Sequence, residues 1–94
     1  QDFKFIGTCH KEFSDNSDCE ILVKNQFKKG DIIEILEPGI LPRQFKVDEI
    51  KIKRNNYEFL TEEANPNDIV LLKGSGRMNL FSIIRKKSEH EKMY

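Results

Sequence analysis

Cysteine is almost absent from this chain of 94 residues, which has only Cys9 and Cys19. Two cysteines cannot build the dense disulfide framework of a small secreted domain. Net charge is absent too. Sixteen Lys and Arg balance sixteen Asp and Glu, which excludes a global field that steers nucleic acid or an anionic membrane. No apolar run approaches the roughly 18–20 residues of a membrane-spanning helix, and no signal-peptide pattern opens the chain. No apolar stripe at the helical period of 3.6 reaches a useful length. The expectation is one soluble domain, cytoplasmic, with no membrane or DNA partner, no cofactor and no metal. Because it opens directly into strand-like sequence, with no initiator Met, it reads as a piece of a longer protein.

What the chain does have is short strand patterns every ten or so residues, separated by turn chemistry. Phe3 to Cys9 and Cys19 to Val23 read as a hairpin around the polar cluster Ser14–Asp18. The stretch Lys24-Asn25-Gln26-Phe27-Lys28-Lys29-Gly30-Asp31 then turns into a strand alternating Ile32, Glu34 and Leu36 against Asp31, Ile33 and Ile35. Pro38-Gly39 and Pro42 read as loop punctuation, since proline cannot donate to a sheet ladder. Gln44–Val47, Ile50–Lys53, Tyr57–Leu60, Ile69–Lys73 and Leu80–Arg85 follow as strands, with a bulge or bend at Asp48-Glu49. Seven or eight strands without crossover helices predict an all-β fold, a small antiparallel β-barrel. The barrel is expected over residues 1–87, with a charged, disordered tail over 88–94. Phe27, Phe45, Phe59 and Phe81 are expected to fill the core.

Few residues offer chemistry. Cys9 and His10 are consecutive in a strand, so they face opposite sides and cannot act as a nucleophile–base pair. Cys9, His10, Cys19 and His90 lack the tight paired spacing of a zinc site. The cysteines are expected as reduced, partly buried thiols; a disulfide is possible if they face each other, but a cytosolic setting would keep it open. Lys73-Gly74-Ser75-Gly76-Arg77 reads as a hairpin loop, because a phosphate loop must enter a helix. The best binding candidates are Lys51, Lys53, Arg54 and Tyr57, with Lys24, Phe27, Lys28 and Lys29 as a second group. With Ile50 and Ile52 inward, Lys51 and Lys53 point outward beside an aromatic, a pattern suited to phosphate contact and base stacking. The same lysines also suit a solvated sheet edge blunted against aggregation.

In layout the chain resembles the second-domain β-barrel of translation elongation factors, through Ile6-Gly7-Thr8, Lys29-Gly30-Asp31, Val47-Asp48-Glu49-Ile50 and the Ala64–Leu72 segment. In detail it is similar to the C-terminal domain of the collagenase-like peptidase U32 family. Asn25, Phe27, Gly30, Asp31, Ile33, Glu34, Ile35, Pro38 and Gly39 match that family's Asn-x-Phe-x-x-Gly-Asp-x-Ile-Glu-Ile-x-x-Pro-Gly segment. Phe45, Val47 and Ile50 match its next element, and Leu80, Phe81, Ile84, Arg85 and Lys86 its closing strand. The chain departs from the family at Asn65-Pro66-Asn67-Asp68, where members often have a His-Pro-Gln-Gln-like segment, and at Ile40, where they often have a further Gly.

The resemblance implies a non-catalytic accessory domain whose partner is its own N-terminal catalytic domain in a larger enzyme. It would position that enzyme's substrate, a polypeptide if the parent is a protease. The alternatives are an RNA-binding module, for tRNA or rRNA, of an enzyme that hydroxylates RNA bases, and a purely structural or oligomerisation domain. Lys51, Lys53, Arg54, Tyr57, Lys28 and Lys29 are the expected contacts for RNA or substrate.

Overall fold

Alternation decides which way each strand faces. Between Ile32 and Glu37, Ile33 and Ile35 are buried while Ile32 is exposed and Glu34 half-buried, the period of two of a sheet with one wet face. The same rule buries Ile50 and Ile52 on either side of Lys51, and Val70 and Leu72 on either side of Leu71. The computed structural model describes residues 3–11, 19–75 and 78–87. The strands among these residues are β1 (Phe3–Lys11), β2 (Glu20–Val23), β3 (Phe27–Lys28), β4 (Ile32–Glu37), β5 (Ile40–Lys46), β6 (Ile50–Arg54), β7 (Tyr57–Thr61), β8 (Glu63–Ala64), β9 (Ile69–Leu72) and β10 (Ile83–Lys87).

Eight of these strands form one antiparallel sheet in the order β5-β4-β10-β1-β2-β9-β6-β7, and β3 pairs with β8. Ile6, Ile21, Ile33, Ile50, Leu72 and Ile84 come from six different strands and meet in one core cluster. Each such isoleucine or leucine contributes about 1.5–3 kcal/mol by leaving water. The fold is thus all-β and antiparallel, as the strand periodicity predicts. Among the described residues the ring is not closed by hydrogen bonds, however: there β5 pairs only with β4 and β7 only with β6.

The Lys-Gly-Asp motif is a turn device. The Asp31 carboxylate accepts from the Lys28 amide at 2.8 Å, and the Asp31 amide donates to the Lys28 carbonyl at 3.0 Å. Gly30 sits at φ +97°, which L side chains avoid, and its amide donates to the Val47 carbonyl at 2.7 Å. In β1, a Cβ on Gly7 would lie 2.2 Å from the Leu22 carbonyl oxygen, so glycine there lets β1 and β2 approach across a register shift between Phe5 and Gly7 in the β1–β10 ladder.

Several expectations are corrected. Ile40–Lys46, with Pro42 inside it, is a strand rather than a loop. Because β5 is an edge, the missing proline amide costs no second ladder. Phe27 is buried and Phe45 packs against the core, but Phe59 lies on the open edge and is 36% exposed. Leu80 to Ser82 precede the last strand rather than belonging to it, and Phe81, at φ +67°, turns its ring out to 73% exposure. Lys86 and Lys87 belong to β10. The Gly74–Ser75 segment is not a hairpin loop, since β2 and β1 separate β9 from β10 in the sheet. Cys9 and Cys19 are buried and joined in a disulfide, because the β1–β2 pairing holds their backbones 6.4 Å apart, within bonding reach. The Ser14–Asp18 cluster, Gly76-Arg77, His90 and the 88–94 tail lie outside the described residues.

Candidate functional site

The β6–β7 hairpin carries the first group of expected contacts. Its strands pair without a register break from Ile50↔Thr61 to Arg54↔Tyr57, joined by the two-residue turn Asn55-Asn56, with Asn55 at φ +54°. Burial of Ile50 and Ile52 turns Lys51 and Lys53 to the outer face, as the alternation requires.

Every one of these cations is already partnered. Lys53 bonds to Glu20, whose side chain is only 5% exposed. That hydrogen bond first, and then the Glu20 charge, holds the Lys53 ammonium above its ordinary pKa; desolvation opposes the shift and Glu58 adds to it. Lys51 pairs with Glu58 at 3.7 Å. Arg54 reaches the Asp68 carboxylate at 3.3 Å and lies over the Phe59 ring at 5.4 Å. Asp68 is itself held by the Asn65 amide at 2.8 Å. Tyr57 is exposed, with its ring 6.2 Å from that of Phe59.

Of the second group, Lys28 and Lys29 lie beyond the Thr61 end of β7, whereas Lys24 follows Val23, whose backbone bonds to Asp68 on the Arg54 side. Lys28 and Lys24 are exposed, and Lys29 pairs with Glu62 at 3.9 Å. Phe27, placed in this group by the sequence pattern, is buried. Lys29 also lines a cleft of about 400 Å³ with Asp48, Glu49, Leu60, Thr61 and Glu62. Two basic residues of β10 are paired as well, Arg85 to Glu34 at 2.6 Å and Lys86 to Asp31 at 2.9 Å. Arg85 stacks 3.7 Å from the centre of the Phe3 ring.

Lys28 and Lys29 therefore stand apart from Arg54 and Tyr57, at the other end of the hairpin, and acidic neighbours oppose most of the charge of the two groups. His10 is exposed and Cys9 buried, on opposite sides of β1. Among the described residues no group of three or more His, Cys, Asp or Glu is placed to hold a metal ion.

The sequence reading missed the apolar edge. Leu60 is 63% exposed, and with Tyr57 and Phe59 it leaves β7 apolar on both faces. The adjacent pair Phe59-Leu60 carried the signal, because neighbours in a strand must face opposite sides.

The family model for the peptidase family U32 C-terminal domain matches residues 1–85. The chain is also similar to the C-terminal domain of a Geobacillus thermoleovorans protein classed as a U32 peptidase. Its crystal structure aligns with a TM-score of 0.74 at 21% identity, over 90% of this chain and 93% of that one. The selenomethionine variant aligns with a TM-score of 0.73 at 21% identity, over 88% and 99%. At this identity the likeness speaks for the fold. Comparison with curated protein sequences gives no match.

Proposed function

The chain belongs to the peptidase family U32 C-terminal domain family, and from that membership we propose that it is a non-catalytic accessory domain that positions polypeptide substrate for an N-terminal catalytic domain. The observation that carries this reading is the contrast between its two kinds of surface. The basic side chains of β6 are internally neutralised by Glu58, Glu20 and Asp68, whereas Tyr57, Phe59 and Leu60 on β7 are apolar and exposed. A nucleic-acid face needs uncompensated cations, since phosphate contacts supply most of its affinity. A polypeptide needs apolar contact and main-chain partners.

Cytoplasmic residence is part of this reading. The Cys9 and Cys19 side chains are buried, so a reductant reaches their bond only through local opening of the fold.

The test is titration of the chain with fluorescein-labelled β-casein, an unfolded polypeptide, and with bulk tRNA, each at about 50 and 200 mM salt. Casein binding that survives the higher salt supports the proposal. Binding of tRNA that collapses over the same range, without casein binding, points instead to an RNA-binding module. Binding of neither leaves a structural domain.

A further inference from the structure

The open sheet leaves two edges, and they are not alike. Edge strands invite pairing with other chains, and proteins blunt them with proline, lysine or a bulge. β5 carries all three: Pro42 lies inside it, Lys46 ends it, and its register with β4 breaks between Ile35 and Glu37. β7 carries none of them. It reads Tyr57-Glu58-Phe59-Leu60-Thr61, and its register with β6 is unbroken.

The hydrogen-bonding pattern of that edge follows from the turn. A two-residue hairpin turn makes Arg54 and Tyr57 a bonded pair, and bonded pairs alternate with non-bonded ones. Tyr57, Phe59 and Thr61 therefore bond to β6, while Glu58 and Leu60 turn their N–H and C=O groups away from it. Among the described residues, no strand other than β6 pairs with β7 and no loop backbone bonds to Glu58 or Leu60.

We infer that the β7 edge is a β-augmentation site that takes up an extended polypeptide segment as an added antiparallel or parallel strand. The geometry fixes the occupant's class, because a row of alternating donors and acceptors is satisfied by another extended main chain. Tyr57 and Phe59 flank the added strand on one face and Leu60 on the other, which favours β-branched or apolar residues in it. At the Thr61 end, Asp48, Glu49 and Glu62 line the cleft against the one ammonium of Lys29. Glu62 pairs with Lys29 and Glu49 with Lys73 at 4.0 Å, whereas Asp48 is exposed and has no ion-pair partner among the described residues. A basic residue at that end of the segment complements this charge. The site rests on the polypeptide reading proposed above and locates it.

Leu60→Pro removes an outward amide while leaving the β6 ladder intact, and Leu60→Thr keeps that amide in a residue suited to strands. Titration of labelled β-casein should show Leu60→Pro weakening binding at least about fivefold, as loss of a hydrogen bond and its neighbour's approach demands, with Leu60→Thr close to the unsubstituted chain. Should Leu60→Pro fail to fold, Asp48→Lys in its exposed loop decides. It should weaken binding of an alternating Val-Thr octapeptide ending in Arg, and leave the same peptide ending in Glu unweakened. Casein binding that is unchanged in Leu60→Pro, or an Arg preference that survives Asp48→Lys, overturns the site while leaving the polypeptide reading in place. Absence of casein binding to the unsubstituted chain removes both. Concentration-dependent dimerisation that Leu60→Pro abolishes overturns the site too, by giving the edge to a second copy.

Discussion

Glu20 on β2 and Lys53 on β6 bond to each other across β9, which lies between their strands. The contact ties three neighbouring strands together on the outer face. It also closes over a carboxylate that is nearly buried.

The pair has a pH signature. Because folding raises the Lys53 pKa above its ordinary 10.5, its stabilisation is fully present below that value and is lost as pH rises through the folded pKa. Lys53→Met should therefore be less stable than the unsubstituted chain at pH 8. The two should converge as pH climbs well above 10.5. Urea melts of both proteins across this range check it; a difference that does not shrink with pH would contradict it.

The Cys9–Cys19 bond closes a loop with a sequence separation of 10 residues. By the chain-entropy relation, its removal should cost about 2–3 kcal/mol. The Cys9→Ala/Cys19→Ala double variant, compared with the oxidised chain in urea, measures this. Equal midpoints would show that the bond adds no stability.

Burial separates isoleucines that look equivalent in sequence. Ile84 is fully buried in β10, between β1 and β4, while Ile32 is 57% exposed. Ile84→Ala should cost about 2–5 kcal/mol, and Ile32→Ala no more than about 0.5 kcal/mol. Equal losses in thermal melts would mean that the inward face of the sheet is misassigned.

Gly7→Ala should be strongly destabilising, because the added Cβ would sit 2.2 Å from the Leu22 carbonyl oxygen, a backbone atom. An overpacked contact of this kind costs about 1–3 kcal/mol or more. An unchanged melting temperature would show that β1 and β2 are further apart than described.

The strands that alternate strictly were legible, and so was the turn chemistry around Gly30-Asp31. Ile33, Ile35, Ile50 and Ile52 declare their face by period alone. The short β3–β8 pair was not legible, since Phe27-Lys28 and Glu63-Ala64 are each too short to show a period. Pro42 misled, because proline forbids a central strand but not an edge, and edge position is a property of the whole sheet. Phe59 and Phe81 misled for a related reason: hydrophobicity says what a residue prefers, not whether another strand arrives to cover it. In the candidate site, alternation placed Lys51 and Lys53 on the outer face correctly. Glu58, the partner of Lys51, was legible as an acid close by in sequence, but the pairing of Lys53 was not, because Glu20 is 33 residues away and meets it only once β9 lies between their strands.

The most direct measurement is residue-resolved hydrogen exchange of the β7 amides with and without β-casein. The Glu58 and Leu60 amides should exchange rapidly in the free chain, since they point away from β6, and slow at least about tenfold when casein is bound, as joining a ladder requires. Phe59, already bonded to β6, should be protected in both. Glu58 and Leu60 amides that are protected in the free chain, or that casein leaves unchanged while it binds, would contradict the account.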